Sequence, residues 1–242
     1  MPVRRLDKPS QGAPLRLFCL PPAGAGASIF YPLLSLDSAA VEICPVSLPG
    51  REDRFHEPPP QSLTTLADQL AACLAPQLDR NYAILGYSMG ALLGYELVRR
   101  WRRDNLPEPS YYFPLAAGPP HLGLKRGLHQ LSDVDFRKQL TEMGGTPPEL
   151  LANEEAMAIF EPILRNDLKN CEQYEFEPLQ PLACTIRAFV SDCDCLVSLE
   201  EAHGWQAHTS GNFDLQVLPG QPHVLSREKL TDVVRSILES TA

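Results

Sequence analysis

At 242 residues the chain has room for one domain with a sizeable core, and its net charge of −9 (21 Lys+Arg against 30 Asp+Glu) disfavours nucleic acid as a partner. No apolar run approaches the roughly 20 residues that span a bilayer, and Met1-Pro2-Val3-Arg4-Arg5 does not lead into a continuous apolar segment. A cytoplasmic protein without a membrane partner is therefore expected, its seven cysteines free thiols because their number is odd and no secretion signal precedes them.

Residues 1–14 are polar and contain Pro and Gly, which predicts a loose arm. Residues 15–20 then read as a buried strand and run into the small-residue loop Pro21-Pro22-Ala23-Gly24-Ala25-Gly26-Ala27-Ser28. No Gly-Lys-Ser/Thr follows, so the loop is not a phosphate cradle. Such a loop can instead bring a backbone N–H beside a nucleophile placed later in the chain, and Ala23 is the candidate donor. A helix is expected from Ser28 to Leu34. Residues 41–48 form a second strand in which Pro45 signals an edge or a bulge. The turn at residues 49–54 mixes acids and bases and reads as a solvated loop, followed by a stiff stretch at Pro58-Pro59-Pro60. Ser62 caps a helix whose Leu63, Leu66, Leu70 and Leu74 face inward.

Residues 82–85 form a short apolar strand, and residues 91–98 a buried helix. Between them stands Gly86-Tyr87-Ser88-Met89-Gly90, a G-x-S-x-G elbow in which a tight strand-to-helix turn projects the serine above the sheet. The small residues Gly86 and Gly90 let strand and helix approach, and the Met89 N–H lies at the start of the helix beside any oxyanion formed there. Arg99-Arg100-Trp101-Arg102-Arg103 closes that helix, where cations complement the helix dipole; docking of an acidic partner is the alternative use.

Residues 111–117 are another strand. From about 119 to 180 the pattern is helical, with a capping box at Ser132-x-x-Asp135, a stop at Gly144-Gly145, a second box at Thr146-Pro147-Pro148-Glu149, and a long helix at residues 154–171 kinked at Pro162. This is read as a helical lid inserted over the sheet, since one crossover needs only about a dozen residues. Gly144-Gly145 is its expected hinge, and Met157 and Phe160 are candidates to line a pocket beneath it. Residues 185–190 resume the strand pattern, a helix follows at about 198–207, residues 213–218 form the last strand, and a helix closes the chain at about 226–238. Alternating strands and helices predict an α/β fold with a mostly parallel, doubly wound sheet.

The chain order Ser88, then Asp192 or Asp194, then His223 is that of the α/β-hydrolase fold, and each member lies just past an expected strand. Serine needs a base, and the base needs a carboxylate that fixes its tautomer. Ser191-Asp192-Cys193 suits a turn that Asp192 would serve, which leaves Asp194, beyond it, to reach His223. Cys193-x-Cys195 lacks a second ligand pair, so no metal is expected.

Six ordered blocks extend the pattern across residues 15–226: residues 20–28, Leu48-Pro49-Gly50-Arg51-Glu52-Asp53-Arg54, the elbow, Leu131-Ser132-Asp133, Gly144-Gly145-Thr146-Pro147 and Arg165-Asn166-Asp167. Together they resemble the type II (external) thioesterases of polyketide and nonribosomal peptide synthesis. Tyr87 stands where that family usually has His, and Cys195 where it has Pro. The resemblance implies hydrolysis of acyl thioesters from the phosphopantetheine arm of an acyl- or peptidyl-carrier protein. Ser88, Asp194 and His223 would be the triad and Ala23 and Met89 the oxyanion donors, with no cofactor, in a monomer. Carboxylesterases and acyltransferases use the same triad, and a non-catalytic carrier-binding module would keep the fold alone.

Overall fold

The computed structural model of the chain describes residues 13–38, 40–144 and 146–241. Most of the expected N-terminal arm, and Gly145 of the expected hinge, lie outside these residues.

Six strands, β1 (Leu15–Leu20), β2 (Val41–Pro45), β3 (Asn81–Tyr87), β4 (Tyr111–Leu115), β5 (Thr185–Ser191) and β6 (Phe213–Leu218), form one sheet in the order β2-β1-β3-β4-β5-β6. Every pairing is parallel. Side chains alternate across it with the two-residue period of a strand. Phe18, Tyr82, Ile84, Tyr112 and Ile186 enter one core layer, whereas Leu17, Cys19, Ala83, Leu85 and Phe113 enter the other. The first layer is covered by α1 (Leu63–Leu74) and α2 (Met89–Arg103), the second by a 3₁₀ segment at Ala27–Leu36 and by α7 (Arg227–Thr241). Between β5 and β6 lies the short α6 (Leu199–His203). The chain is thus doubly wound, and its strand order reverses between β1 and β3, where the carboxyl ends of neighbouring strands open a crevice.

Local chemistry accounts for most boundaries. Ser62 accepts the Thr65 N–H at 3.0 Å to start α1, whose Leu63, Leu66, Leu70 and Leu74 are all buried. Each such leucine contributes about 1.5–3 kcal/mol of burial. Pro45 lies on the sheet's edge strand, where a missing N–H costs no ladder bond, and β2 ends there rather than at Leu48. The segment after the small-residue loop is 3₁₀ rather than α, with Pro32 inside it: proline has no N–H to donate and clashes with the preceding turn of an α-helix.

Between β4 and β5 the chain forms α3 (Asp133–Met143), α4 (Pro148–Leu151) and α5 (Glu154–Glu172). Ser132 caps α3 through the Asp135 N–H at 3.2 Å, and Gly144, at φ +73°, ends it. The second expected capping box does not form. Pro147 occupies the cap of α4 with no side-chain bond, and Thr146 lies outside the cap. The basic run ending α2 is spent within the chain, Arg99 and Arg100 on Glu96, Arg100 also on Asp68, Arg102 on Glu108 and Arg103 on Asp104. No helix among the described residues is long and apolar enough to cross a membrane.

One buried polar cluster sets an acid limit on stability. His208, 6% exposed, meets His121 at 2.6 Å and the Tyr95 hydroxyl at 3.2 Å, against Trp205 and Phe176. Burial, helped by the neighbouring His121, pushes its pKa from 6.5 down to about 4. Between these pH values the unfolded chain binds a proton that the folded one does not. Stability is therefore full above pH 6.5 and falls on acidification toward pH 4, by on the order of 2–3 kcal/mol. His208→Gln is expected to flatten this limb in urea titrations across that range. An equally steep fall in the variant would remove His208 as its cause.

Candidate active site

Ser88 follows β3 directly and precedes the first residue of α2. Its backbone has φ +50° and ψ −112°, a sparsely populated region for a residue with a Cβ. The flanking glycines make the bend sterically feasible. A Cβ on Gly86 would lie 2.5 Å from Ala91 Cα, and one on Gly90 would lie 2.2 Å from the Leu20 carbonyl oxygen. The Ser88 N–H donates to Leu115 O at 2.8 Å, fastening the turn to β4. Its hydroxyl makes no capping bond to α2. It lies instead 3.0 Å from His223 Nε2.

His223 follows β6 and is 2% exposed. Its Nδ1 lies 2.9 and 2.8 Å from the two carboxylate oxygens of Asp194, whose side chain is fully buried. Asp194 Oδ1 also accepts the Leu196 and Val197 N–H groups at 2.8 and 3.0 Å. These bonds orient the carboxylate. With Nδ1 protonated toward Asp194, Nε2 is left as the acceptor facing Ser88, a tautomer assigned from the hydrogen-bond pattern.

The loop carrying His223 is held from two sides. The Tyr87 hydroxyl donates to His223 O at 3.2 Å and accepts the Leu225 N–H at 2.6 Å. Burial pushes that phenol well above its ordinary value, so it stays a donor. Ser191 Oγ donates to Gln221 O and accepts the Gln221 and Cys193 N–H groups, each at 3.0 Å. Asp192 points elsewhere. Its Oδ1 accepts the Gly220 N–H at 2.7 Å, which holds its carboxyl below the usual range. Burial, reinforced by Asp194, pushes the Cys195 thiol up, and a bond to Asp192 raises that of Cys193, so neither thiolate competes as a nucleophile near neutral pH.

Beside Ser88 opens a cavity of about 470 Å³. Leu92 of α2, Leu140 and Met143 of α3, and Phe160, Leu164 and Leu168 of α5 give it apolar walls. Met157, the other residue considered for the pocket, is 1% exposed and packs within the helical cluster behind it. Ala23 and Met89 border the same space. The Met89 N–H is the first of α2 and has no intrahelical acceptor, and the Ala23 N–H is taken by no acceptor among the described residues.

The turn at residues 49–54 is only in part the solvated loop its composition suggests: Glu52 and Asp53 are exposed, but Arg51 is not. Arg51 is 4% exposed and Asp167 of α5 fully buried, and they form a bidentate pair at 2.6 and 2.9 Å. Asp167 lies three residues after Leu164 and four before Cys171, both buried. A carboxylate on the apolar face of a helix is the signal in the sequence that a buried cation awaits it.

Comparison with known proteins places the chain. Residues 15–241 match the family described as "Thioesterase domain". Linear gramicidin dehydrogenase LgrE of Brevibacillus parabrevis is 35% identical over 234 residues, spanning 94% of this chain and 89% of that protein. RedJ, the thioesterase of the prodiginine pathway of Streptomyces coelicolor, superposes with a TM-score of 0.87 at 34% identity, covering 94% of this chain and 91% of that one. The type II thioesterase BorB of the borrelidin cluster gives 0.89 at 29% identity, covering 100% and 98%.

Proposed function

Because the chain belongs to the thioesterase family, among the type II thioesterases of polyketide and nonribosomal peptide synthesis, we propose that Ser88, His223 and Asp194 hydrolyse acyl thioesters borne by the phosphopantetheine arm of an acyl- or peptidyl-carrier protein. The observation that carries this reading is the relay from Ser88 through His223 to Asp194 at the mouth of an apolar cavity.

In this reading Ser88 Oγ attacks the thioester carbonyl carbon while His223 Nε2 takes its proton. The carbonyl oxygen becomes an oxyanion held by the Ala23 and Met89 N–H groups. Collapse breaks the carbon–sulfur bond, and the pantetheine thiolate leaves with the proton from Nε2. Water, deprotonated by the same nitrogen, then attacks the acyl-serine, and collapse releases the acid and restores Ser88. Asp194 holds the imidazole and offsets its positive charge in both halves. The enzyme is read as a cytoplasmic monomer, and residues 119–180 as a cover over the acyl cavity.

The test offers one acyl chain as its pantetheine thioester, its carrier-protein thioester and its oxygen ester. The expected kcat/KM is at least about tenfold higher for the thioesters, a margin of about 1.4 kcal/mol in transition-state binding. A preference for the oxygen ester would replace this reading by a carboxylesterase. In the same assay Phe160→Ala is expected to move the optimum toward longer or bulkier acyl groups. Met157→Ala, which empties space in the helical cluster, is expected to cost about 2–5 kcal/mol of stability with selectivity unchanged.

A further inference from the structure

The loop that carries Ala23 has no regular secondary structure to hold it, yet its N–H must stay where an oxyanion forms. Arg51 and Asp167 surround the two residues after it. Asp167 Oδ2 accepts the Gly24 N–H at 2.8 Å, and Arg51 Nη1 donates to Ala25 O at 3.0 Å as well as to Asp167 Oδ2. Gly24 stands at φ +75°, a conformation with no cost only for glycine, and a Cβ there would lie 2.9 Å from Leu164 of α5. The adjacent turn grips the loop once more, since Glu52 Oε1 accepts the Ser28 N–H at 3.1 Å. Helix α5 is tied to the same strip of chain by Asn166 and Asn170, each donating to Pro60 O at 3.1 Å.

We propose that Arg51 and Asp167 are positioning residues that brace Gly24 and Ala25 and thereby hold the Ala23 N–H at the oxyanion position. The inference rests on the assignment of Ser88 as nucleophile and Ala23 as donor made above. It gives the pair a purpose beyond stability, because a buried ion pair contributes little net stability relative to a well-packed apolar pair. It also links α5, one wall of the acyl cavity, to the catalytic loop: a shift of α5 moves the carboxylate on which Gly24 hangs.

Removing one partner strands a buried charge, so the informative variants keep the charge balanced. R51M/D167L replaces both by apolar side chains, and Arg51→Lys keeps the ion pair but cannot serve both carboxylate oxygens and Ala25 O with a planar fork. Since losing one oxyanion donor costs about 10²–10³-fold in kcat, a displaced donor is expected to cost about 10–100-fold in R51M/D167L, with KM within about threefold. Arg51→Lys is expected to lie between that variant and wild type. The discriminating probe is a long-chain alkyl trifluoromethyl ketone compared with its alcohol of equal length. Ser88 Oγ adds to the ketone carbon, its proton goes to His223, and the ketone oxygen becomes an oxyanion; the alcohol only fills the cavity. Ketone affinity is expected to fall in step with kcat while alcohol affinity and melting temperature hold. Undiminished discrimination between ketone and alcohol in both variants overturns the positioning role. So does a parallel loss of affinity for both probes, which marks a merely structural pair. If the wild-type enzyme itself forms no ketone adduct at Ser88 by mass spectrometry, the underlying assignment of nucleophile fails, and this inference with it.

Discussion

Ser88→Ala is expected to lower kcat for a pantetheine thioester by on the order of 10⁵–10⁶-fold, leaving only what binding and the oxyanion donors supply. The fold should barely notice. A serine at a helix cap ordinarily gives up about 0.5–2 kcal/mol when replaced by alanine, but Ser88 makes no capping bond; its hydroxyl is directed at His223. The bond from its backbone N–H to Leu115 O survives the change, and alanine keeps the same Cβ in the same strained turn. The measurement is turnover at saturating thioester alongside a thermal melt and labelling with a fluorophosphonate. Near-wild-type turnover in a folded Ser88→Ala enzyme would end the serine mechanism, and labelling that persists in the variant would move the nucleophile elsewhere.

How much of this could be read beforehand varies along the chain. The strands Leu15–Leu20 and Phe213–Leu218 are apparent residue for residue, because turn-forming Pro and Gly segments follow a largely apolar stretch in the first and an apolar–polar alternation in the second. Ser62 and Ser132 are visible as caps because a cap is a local interaction spanning three residues. Thr146 misleads for the opposite reason: two prolines follow it, and the first of them takes the cap. Ser88, Asp194 and His223 can be singled out since each lies just past a strand of a parallel sheet, where side chains converge on one edge. The brace behind the Ala23 loop cannot be found that way. Asp167, on the apolar face of its helix, signals that some buried cation is needed but not which one, and Arg51 lies 116 positions away in a charged turn that reads as solvated. Only the three-dimensional path of α5 past the loop that follows β1 brings them together.

The sharpest remaining test separates two acids that are two positions apart. Asp194→Asn is expected to lower turnover on the order of 10²–10⁴-fold, and Asp192→Asn by no more than about twofold to threefold. The difference follows from what each carboxylate accepts. Asp194 receives the His223 ring N–H on both oxygens and the Leu196 and Val197 N–H groups on one of them, so every neighbour is a donor. An asparagine offers one oxygen and one NH₂. If its oxygen stays with the two backbone donors, the NH₂ faces His223 Nδ1 and can only donate to it, which requires an unprotonated Nδ1. The ring proton then moves to Nε2, which can no longer take the proton of Ser88. If the amide turns round, it presents hydrogens to two backbone N–H groups, and the loop that holds residues 194–197 loosens. Either outcome damages the relay while the shape of the side chain is kept. Asp192, by contrast, faces the surface, where its Oδ1 accepts the Gly220 N–H and its carboxylate bonds the Cys193 thiol, and the asparagine oxygen can still accept the Gly220 N–H. Both variants should be measured on one thioester at saturating substrate, with circular dichroism to verify folding. A crippled Asp192→Asn beside an active Asp194→Asn would reverse the assignment, and equal losses in both would mean that the loop as a whole, rather than one carboxylate, holds His223.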